Sequence, residues 1–423
     1  MSRGFISYRN CCIYGKCLDT GRIIHLNQIV IRKPSLHRFR SIRRLNDGNP
    51  WLLWAICVVV LVILIAAGLW PFNFRAGNKV AWLTSQNGVH FFGQGIIVGA
   101  DIRNRGQKPP FSEKSITLEL WLRPLQETTN LPQILTLYDV RSPEPLFVGQ
   151  WKSHLVIRSR REEQVARVKE KSYREIGLQN GLIKNRDTFI TITSGTGGTS
   201  VYVNGKSAQS YSNYNMLADV TERPLRFILG NSPTGESFWI GNLLGFAVYN
   251  RVLNATEVSK SHQAWTGEVP AVVSADAGCV GMYLFDERQG STIHNKADSG
   301  GELVIPEVFE PVQRKYLASF QQSFRWSFSY LQDIAINVIG FIPFGFFFCA
   351  LLLKLSCMER LSTSAVVFIL GVVLSVAIEV SQAYLPTRDS SSTDVAMNSL
   401  GTILGIVMYQ IHKKSDTRMK TGF

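Results

Sequence analysis

From Trp51 to Trp70 the chain reads WLLWAICVVVLVILIAAGLW, twenty residues without a charge. At a helical rise of about 1.5 Å per residue this run crosses a hydrocarbon core about 30 Å thick. It reads as a membrane-spanning helix with a tryptophan at each interface. Three more apolar stretches of spanning length lie far downstream, at 333–353, 361–383 and 393–411. The chain therefore divides into a leader (1–50), a first span (51–70), a long polar stretch (75–318) with no span of its own, three closely spaced spans, and a tail (412–423).

Charge orients these parts. The formal net charge is +14, and residues 1–50 hold ten Lys and Arg against Asp19 and Asp47. Basic residues are also found in the turn holding Lys354 and Arg360 and in the tail HKKSDTRMK. The positive-inside rule places all three segments in the cytoplasm, so four spans give an N-in, C-in protein of the cytoplasmic membrane with 75–318 outside. The basic leader lacks the aromatic interleaving or motif of a nucleic-acid binder, so no nucleic-acid partner is expected. Weak attraction to anionic lipid fits it better. The first span is longer than the ~7–15 residues of a signal-peptide core and is followed by no small-x-small site, so it reads as an anchor. Cys11, Cys12 and Cys17 lie in the leader, Cys57 and Cys349 in spans, and Cys357 in a cytoplasmic turn. Only Cys279 is left outside, so no internal disulfide is expected there. The leader cysteines lack paired zinc-site spacing, and no metal or cofactor is expected.

The outer stretch is a succession of short β-type runs. SITLELWLRP (115–124) alternates Ile116, Leu118, Leu120 and Leu122 with other residues and stops at Pro124. Further strands are expected at 133–140, 145–151, 154–159, 188–194, 199–205, 225–231, 238–250 and 278–286, the spacing of an all-β sandwich. Asn204-Gly205 marks a hairpin, because both residues accept φ > 0. The charged segment 159–175 lacks alternation and reads as a solvated hairpin or edge excursion. LELWLRP, VYVNGK (201–206), LGN (229–231) and WIGNLLGFAVYNRVLNATEV (239–258) resemble the laminin-G/concanavalin A-like lectin and glucanase fold over roughly residues 80–290. The resemblance implies a jelly-roll sandwich that binds carbohydrate or protein, in some members with calcium. A glucanase of this fold would carry paired carboxylates on one strand, as in E-x-D-x-x-E. Glu119 is instead alone in its strand, and Asp286 and Glu287 are adjacent, hence on opposite faces. Trp121, Tyr138, Trp151, Tyr202, Phe238, Trp239 and Tyr249 have rings that could stack on sugars, although most are expected to fill the core.

Polar residues interrupt the last three spans in pairs. Asp333 and Asn337 are four apart, Glu379 and Gln382 three apart, and Asp394 and Asn398 four apart, each pair on one helical face. A carboxylate at bilayer depth costs roughly 2.5–3.5 kcal/mol on insertion scales, so each acid is a functional candidate. The topology above puts all three pairs toward the outer leaflet, beside an outer loop (384–393) that supplies Arg388 as a partial counter-charge. The expected site is one pocket, open to the outside and lined by Asp333, Asn337, Glu379, Gln382, Arg388, Asp394 and Asn398. Pro343 is expected to kink the second span, and Gly401-x-x-x-Gly405 allows close helix approach on the fourth.

The combination N-x-x-x-F-x-P-x-G (Asn337, Phe341, Pro343, Gly345), E-x-x-Q (Glu379, Gln382) and R-x-x-x-x-x-D-x-x-x-N-x-x-G (Arg388, Asp394, Asn398, Gly401) resembles the VanZ-like family. These are small four-span membrane proteins named for an accessory determinant of glycopeptide resistance. The match covers 333–410 and the first span with LWPFNF (69–74), while about 250 residues of β-domain separate spans that lie close together in the family core. The expected architecture is a four-helix transmembrane bundle with an extracytoplasmic jelly-roll sandwich between its first and second spans. The expected function is binding of a cell-envelope glycan or surface polymer, with action at the outer leaflet and a part in glycopeptide tolerance. The competing reading is an intramembrane enzyme or transporter of a lipid-linked envelope precursor, with Glu379 or Asp394 as acid or base. No nucleophile, metal triad or phosphatase-type motif accompanies those acids. A third reading, a β-domain tethered by an inert bundle, ranks last.

Overall fold

The structure is a computed structural model that describes residues 50–99, 111, 113–138, 146–160, 173–218, 225–267, 278–297, 300–320, 328–355 and 360–421. The basic leader, with its three cysteines, and Cys357 lie outside them. The β-domain is two antiparallel sheets. The first runs β1 (Val80–Trp82), β2 (Val89–Phe91), β13 (Gly241–Tyr249), β4 (Ile116–Pro124), β9 (Thr188–Gly195), β10 (Gly198–Val203) and β11 (Lys206–Tyr211), with β14 (Cys279–Tyr283) also paired to β13. The second runs β15 (Thr292–Ile293), β16 (Leu303–Val304), β3 (Ile97–Gly99), β12 (Arg226–Leu229), β5 (Gln133–Tyr138), β6 (Leu146–Trp151), β7 (His154–Arg160) and β8 (Tyr173–Leu178).

Alternation builds the interior. Ile116, Leu118, Leu120 and Leu122 of β4 join Leu135 and Leu137 of β5, Ile190 and Ile192 of β9, and Phe227 and Leu229 of β12 in one buried core. Each such side chain, fully buried, stabilises the fold by about 1.5–3 kcal/mol. The expected strands all form. Asn204 and Gly205 turn at φ 49° and 75°, and Val203 pairs with Lys206 across them. Residues 161–172 of the charged segment lie outside the described residues, but its two ends pair as a hairpin at the sheet edge, Ser159 of β7 with Arg174 of β8 and Arg158 with Glu175, in keeping with its reading. Arg158 bridges to Glu175 and lies over Tyr173, which explains how an edge strand accommodates such charge.

A helix that the strand pattern gave no reason to expect, α2 (Ala255–Thr266), covers the outer side of the first sheet. A capping box starts it, with the Asn254 side chain accepting from Glu257 N and Glu257 accepting from Asn254 N. Its Val258 and Trp265 pack on Phe189, Ala247, Tyr249 and Met282 in a second apolar layer.

Four long helices form the rest: α1 (Pro50–Leu69), α3 (Phe328–Leu355), α4 (Arg360–Gln382) and α5 (Ser392–Thr421). Among the described residues, three are long and apolar enough to cross a membrane, within Pro50–Leu69, Tyr330–Leu355 and Leu361–Gln382. The fourth, α5, is less apolar, with Asp394, Asn398, Ser399 and Thr402 in its first turns and His412, Lys413, Lys414 and Asp416 in its later ones. It packs against both α3 and α4. The α3 helix continues through Pro343 to Leu355. Its contact with α5 is backbone on backbone: a Cβ at Gly345, Gly401 or Gly405 would stand 2.1, 2.2 or 2.2 Å from the carbonyl oxygen of Thr402, Val338 or Ile342.

Candidate functional site

Where the helices meet the sandwich there is a cavity of about 1070 Å³. All seven residues singled out in the sequence line it: Asp333 and Asn337 from α3, Glu379 and Gln382 from α4, Arg388 from the following loop, and Asp394 and Asn398 from α5. Helical spacing explains the convergence, since each pair lies one turn apart on its own helix and the three helices pack together.

Several of these side chains terminate neighbouring helices. The last carbonyls of a helix have no partner within it. At the end of α1, Gln382 Nε2 donates to Gly68 O at 2.8 Å, and just beyond it Arg388 Nε donates to Trp70 O at 3.3 Å. At the start of α5, Glu379 Oε2 accepts from Ser391 N at 2.8 Å, and Ser391 Oγ accepts from Thr393 N at 3.1 Å. A carboxylate at this place is also favoured by the positive end of the helix dipole.

Helix termination does not account for the whole set. Glu379 and Asn398 are only 2% and 3% exposed, yet both border the cavity. Asn398 Nδ2 donates to Ser375 Oγ at 2.9 Å, while its Oδ1 is buried with no hydrogen-bond partner among the described residues. Asn337 hydrogen-bonds Asp394, and the charges of Asp333 and Arg388 reach Asp394 as well. Arg388 is exposed at the mouth, within electrostatic range of Glu379 also.

The mouth adds residues not singled out in the sequence. Arg314 stacks its guanidinium 4.3 Å from the Tyr384 ring centroid, and Lys315 pairs with Glu236 at 2.7 Å. Glu236 belongs to the loop between β12 and β13, so the sandwich itself contributes to the lining. Ser375 was also missed. Its signal was present: it lies four residues before Glu379 and seven before Gln382, on the same face of an apolar helix.

On the sandwich, Tyr138, Trp239 and Tyr249 are buried, and Trp121 and Tyr202 pack against the layer under α2. Trp151 and Phe238 are exposed. Trp151 stands at the β6–β7 turn with His154 stacked at 5.4 Å and Lys152 Nζ 5.0 Å from its ring. Glu119 is buried beneath α2. Among the described residues, no three His, Cys, Asp or Glu are grouped so as to hold a metal.

Comparison with known proteins agrees with this division. Residues 277–413 match the VanZ/LLP1 family model, and residues 100–259 match that of the concanavalin A-like lectin/glucanases superfamily. The chain thus carries a laminin-G-type region followed by a VanZ-like region, with an apolar helix of spanning length before both. No curated protein matches it. Similar solved structures include a Bacteroides ovatus protein provisionally described as carbohydrate binding, at 14% identity and TM-score 0.36, covering 55% of this chain and 62% of that one. A heptameric SAP-like pentraxin from Limulus polyphemus aligns at 12% identity and TM-score 0.34, over 55% of this chain and 93% of that one. The receptor binding domain of botulinum neurotoxin C/D mosaic serotype aligns at 14% identity and TM-score 0.34, over 45% and 46%.

Proposed function

We propose that this is a multi-pass protein of the cytoplasmic membrane whose four long helices form an N-in, C-in bundle and whose sandwich faces outward. In this reading the sandwich binds a glycan or surface polymer of the cell envelope and the bundle acts at the outer leaflet, with tolerance to glycopeptide antibiotics as the outcome. The observation that carries it is the convergence of Asp333, Asn337, Glu379, Gln382, Arg388, Asp394 and Asn398 on one cavity beneath a loop of the sandwich. Residues that merely fixed helix register would not need three acids and an arginine around an open space, because interhelical hydrogen bonds average only about 0.6 kcal/mol. Lys354, His412, Lys413 and Lys414 stand at the opposite ends of the helices, as a cytoplasmic face requires.

Two measurements test this. With Cys11, Cys12, Cys17 and Cys357 changed to serine, cysteine placed at exposed Ser207 should react with a membrane-impermeant maleimide in intact cells, and cysteine at exposed Ser415 only after permeabilisation. The reverse pattern would overturn the orientation. Glu379→Ala, Arg388→Ala and Asp394→Ala should each abolish glycopeptide tolerance at unchanged membrane level, and full activity in all three would end the proposal for the bundle. On the sandwich, Trp151→Ala should weaken binding to an envelope-polysaccharide array about tenfold, the upper range of one aromatic contact. Unchanged binding would remove Trp151 from the glycan surface.

A further inference from the structure

The cavity is polar only in its upper part. Beside and below Asn337 its lining is hydrocarbon, supplied by Val60, Ile63 and Leu64 of α1 and by Ile336, Ile339 and Phe341 of α3. From Ala67 down to Val60 this slot descends about 10 Å at the helical rise. Ile63, Ile336 and Ile339 are 59, 66 and 64% exposed, so the slot opens sideways, where a bilayer would meet the helices. A polar chamber continuous with an apolar, laterally open slot matches an amphiphile better than a soluble glycan or ion.

The chamber also specifies the head of that amphiphile. Its lining holds five carboxylates (Glu236, Asp333, Glu379, Asp389, Asp394) against three cations (Arg314, Lys315, Arg388), and Glu236 is already paired with Lys315. The Asn398 amide places one N–H on Ser375 and leaves its buried Oδ1 as one more acceptor. Acceptors thus outnumber donors deep in the chamber, while Arg388 and Arg314 lie at the mouth. A fully anionic headgroup would meet the acids. A head with an ammonium group among the acids and a phosphate beside the arginines would satisfy both sets.

We propose that the cavity binds an amine-headed phospholipid, with its ammonium among Glu379, Asp394 and Asn398, its phosphate toward Arg388, and one hydrocarbon chain in the slot between α1 and α3. This rests on the reading that these helices lie in a membrane, but not on which way the sandwich faces.

The test is lipid retention by the full chain. The protein is reconstituted in nanodiscs of equal parts phosphatidylethanolamine and phosphatidylglycerol, extracted in mild detergent and examined by native mass spectrometry. Phosphatidylethanolamine should be retained over phosphatidylglycerol by about tenfold, the effect of one charge-assisted hydrogen bond. Asp394→Asn should erase that preference. Ile339→Trp, at an exposed position, should fill the slot and reduce retention of both lipids. Chain-free glycerophosphoethanolamine should not displace the lipid, and displacement would mean that the head alone is the ligand. Equal retention of the two lipids, or wild-type retention in both variants, would overturn the proposal. Because the readout is independent of orientation, such a failure would leave the maleimide result standing.

Discussion

Glu119 shows how far a single residue's role depends on partners distant in sequence. It is wholly buried in β4, and its Oε2 accepts from Tyr249 Oη at 3.2 Å, Ser261 Oγ at 2.9 Å and Trp265 Nε1 at 3.0 Å. Burial, reinforced by the Glu119 carboxylate, pushes the Tyr249 phenol far above its usual range, so it remains a donor at any physiological pH. These bonds fasten α2 to the sheet. Glu119→Ala should therefore destabilise the sandwich by about 3 kcal/mol, since it strands three buried donors, and Glu119→Gln by about 1 kcal/mol because one acceptor survives. Thermal unfolding of the purified chain checks the order, and an unchanged midpoint for Glu119→Ala would refute the anchoring role. In the sequence Glu119 is merely a lone acid in an apolar strand, because Ser261 and Trp265 lie 142 and 146 residues away. The acids of the three C-terminal helices were legible for the opposite reason. Each breaks an apolar run, and its amide partner lies one helical turn along the same segment.

At the scale of elements, the closest contact in the helical region is α3 against α5. A Cβ at Gly405 would stand 2.2 Å from Ile342 O and 2.7 Å from Phe346 N, both backbone atoms that no rotamer change can move. Gly340, on the same α3, has only Leu64 Cδ2 at 3.8 Å. Gly405→Leu should thus force the helices apart and cost about 3 kcal/mol, the upper range of overpacking. Gly340→Ala should be neutral or stabilise by up to about 1 kcal/mol through helix propensity. Thermal aggregation in detergent distinguishes the two, and similar midpoints would show that α3 and α5 are not locked together at Gly405. The G-x-x-x-G spacing announced this contact, but its partner glycine, Gly345, came from another helix and only the fold pairs them. Strand legibility divides by length in the same way. Long alternating strands such as β4 and β9 were visible, whereas β1, β2, β3, β15 and β16 are two or three residues long and carry no period. The helix α2 carried a readable start in Asn254-x-x-Glu257 before Val258, which the surrounding strand pattern obscured.

At the scale of the molecule, the sandwich and the helices are joined at the mouth of the cavity. Gln94 Nε2, next to β3, donates to Pro386 O at 2.6 Å, and Lys315 reaches Glu236. The segment leading toward α3 runs parallel to the loop before α5, with Ala318 N donating to Ser390 O at 2.9 Å and Ser392 N to Ala318 O at 3.0 Å. Two side chains reinforce it: Ser390 Oγ accepts from Leu317 N at 3.0 Å, and Ser392 Oγ donates to Ala318 O at 2.9 Å. The exposed ion pair adds at most about 1 kcal/mol, so the serines and the backbone bridge carry most of the junction. No local pattern revealed it, because its two strands are 73 residues apart and each reads as a loop. The double variant Ser390→Ala/Ser392→Ala leaves the backbone bonds in place but removes both side-chain bonds, each worth about 1 kcal/mol. Amide exchange at Leu317 and Ala318 should then quicken by about tenfold or more, since 1.4 kcal/mol is a factor of ten. Exchange within β4 and β9 should stay unchanged, because their bonds lie wholly inside the sandwich. If Leu317 and Ala318 exchange at the wild-type rate, the junction does not depend on these serines. If β4 quickens equally, the variant has loosened the whole sandwich, and the two parts unfold together rather than meeting at a local clasp.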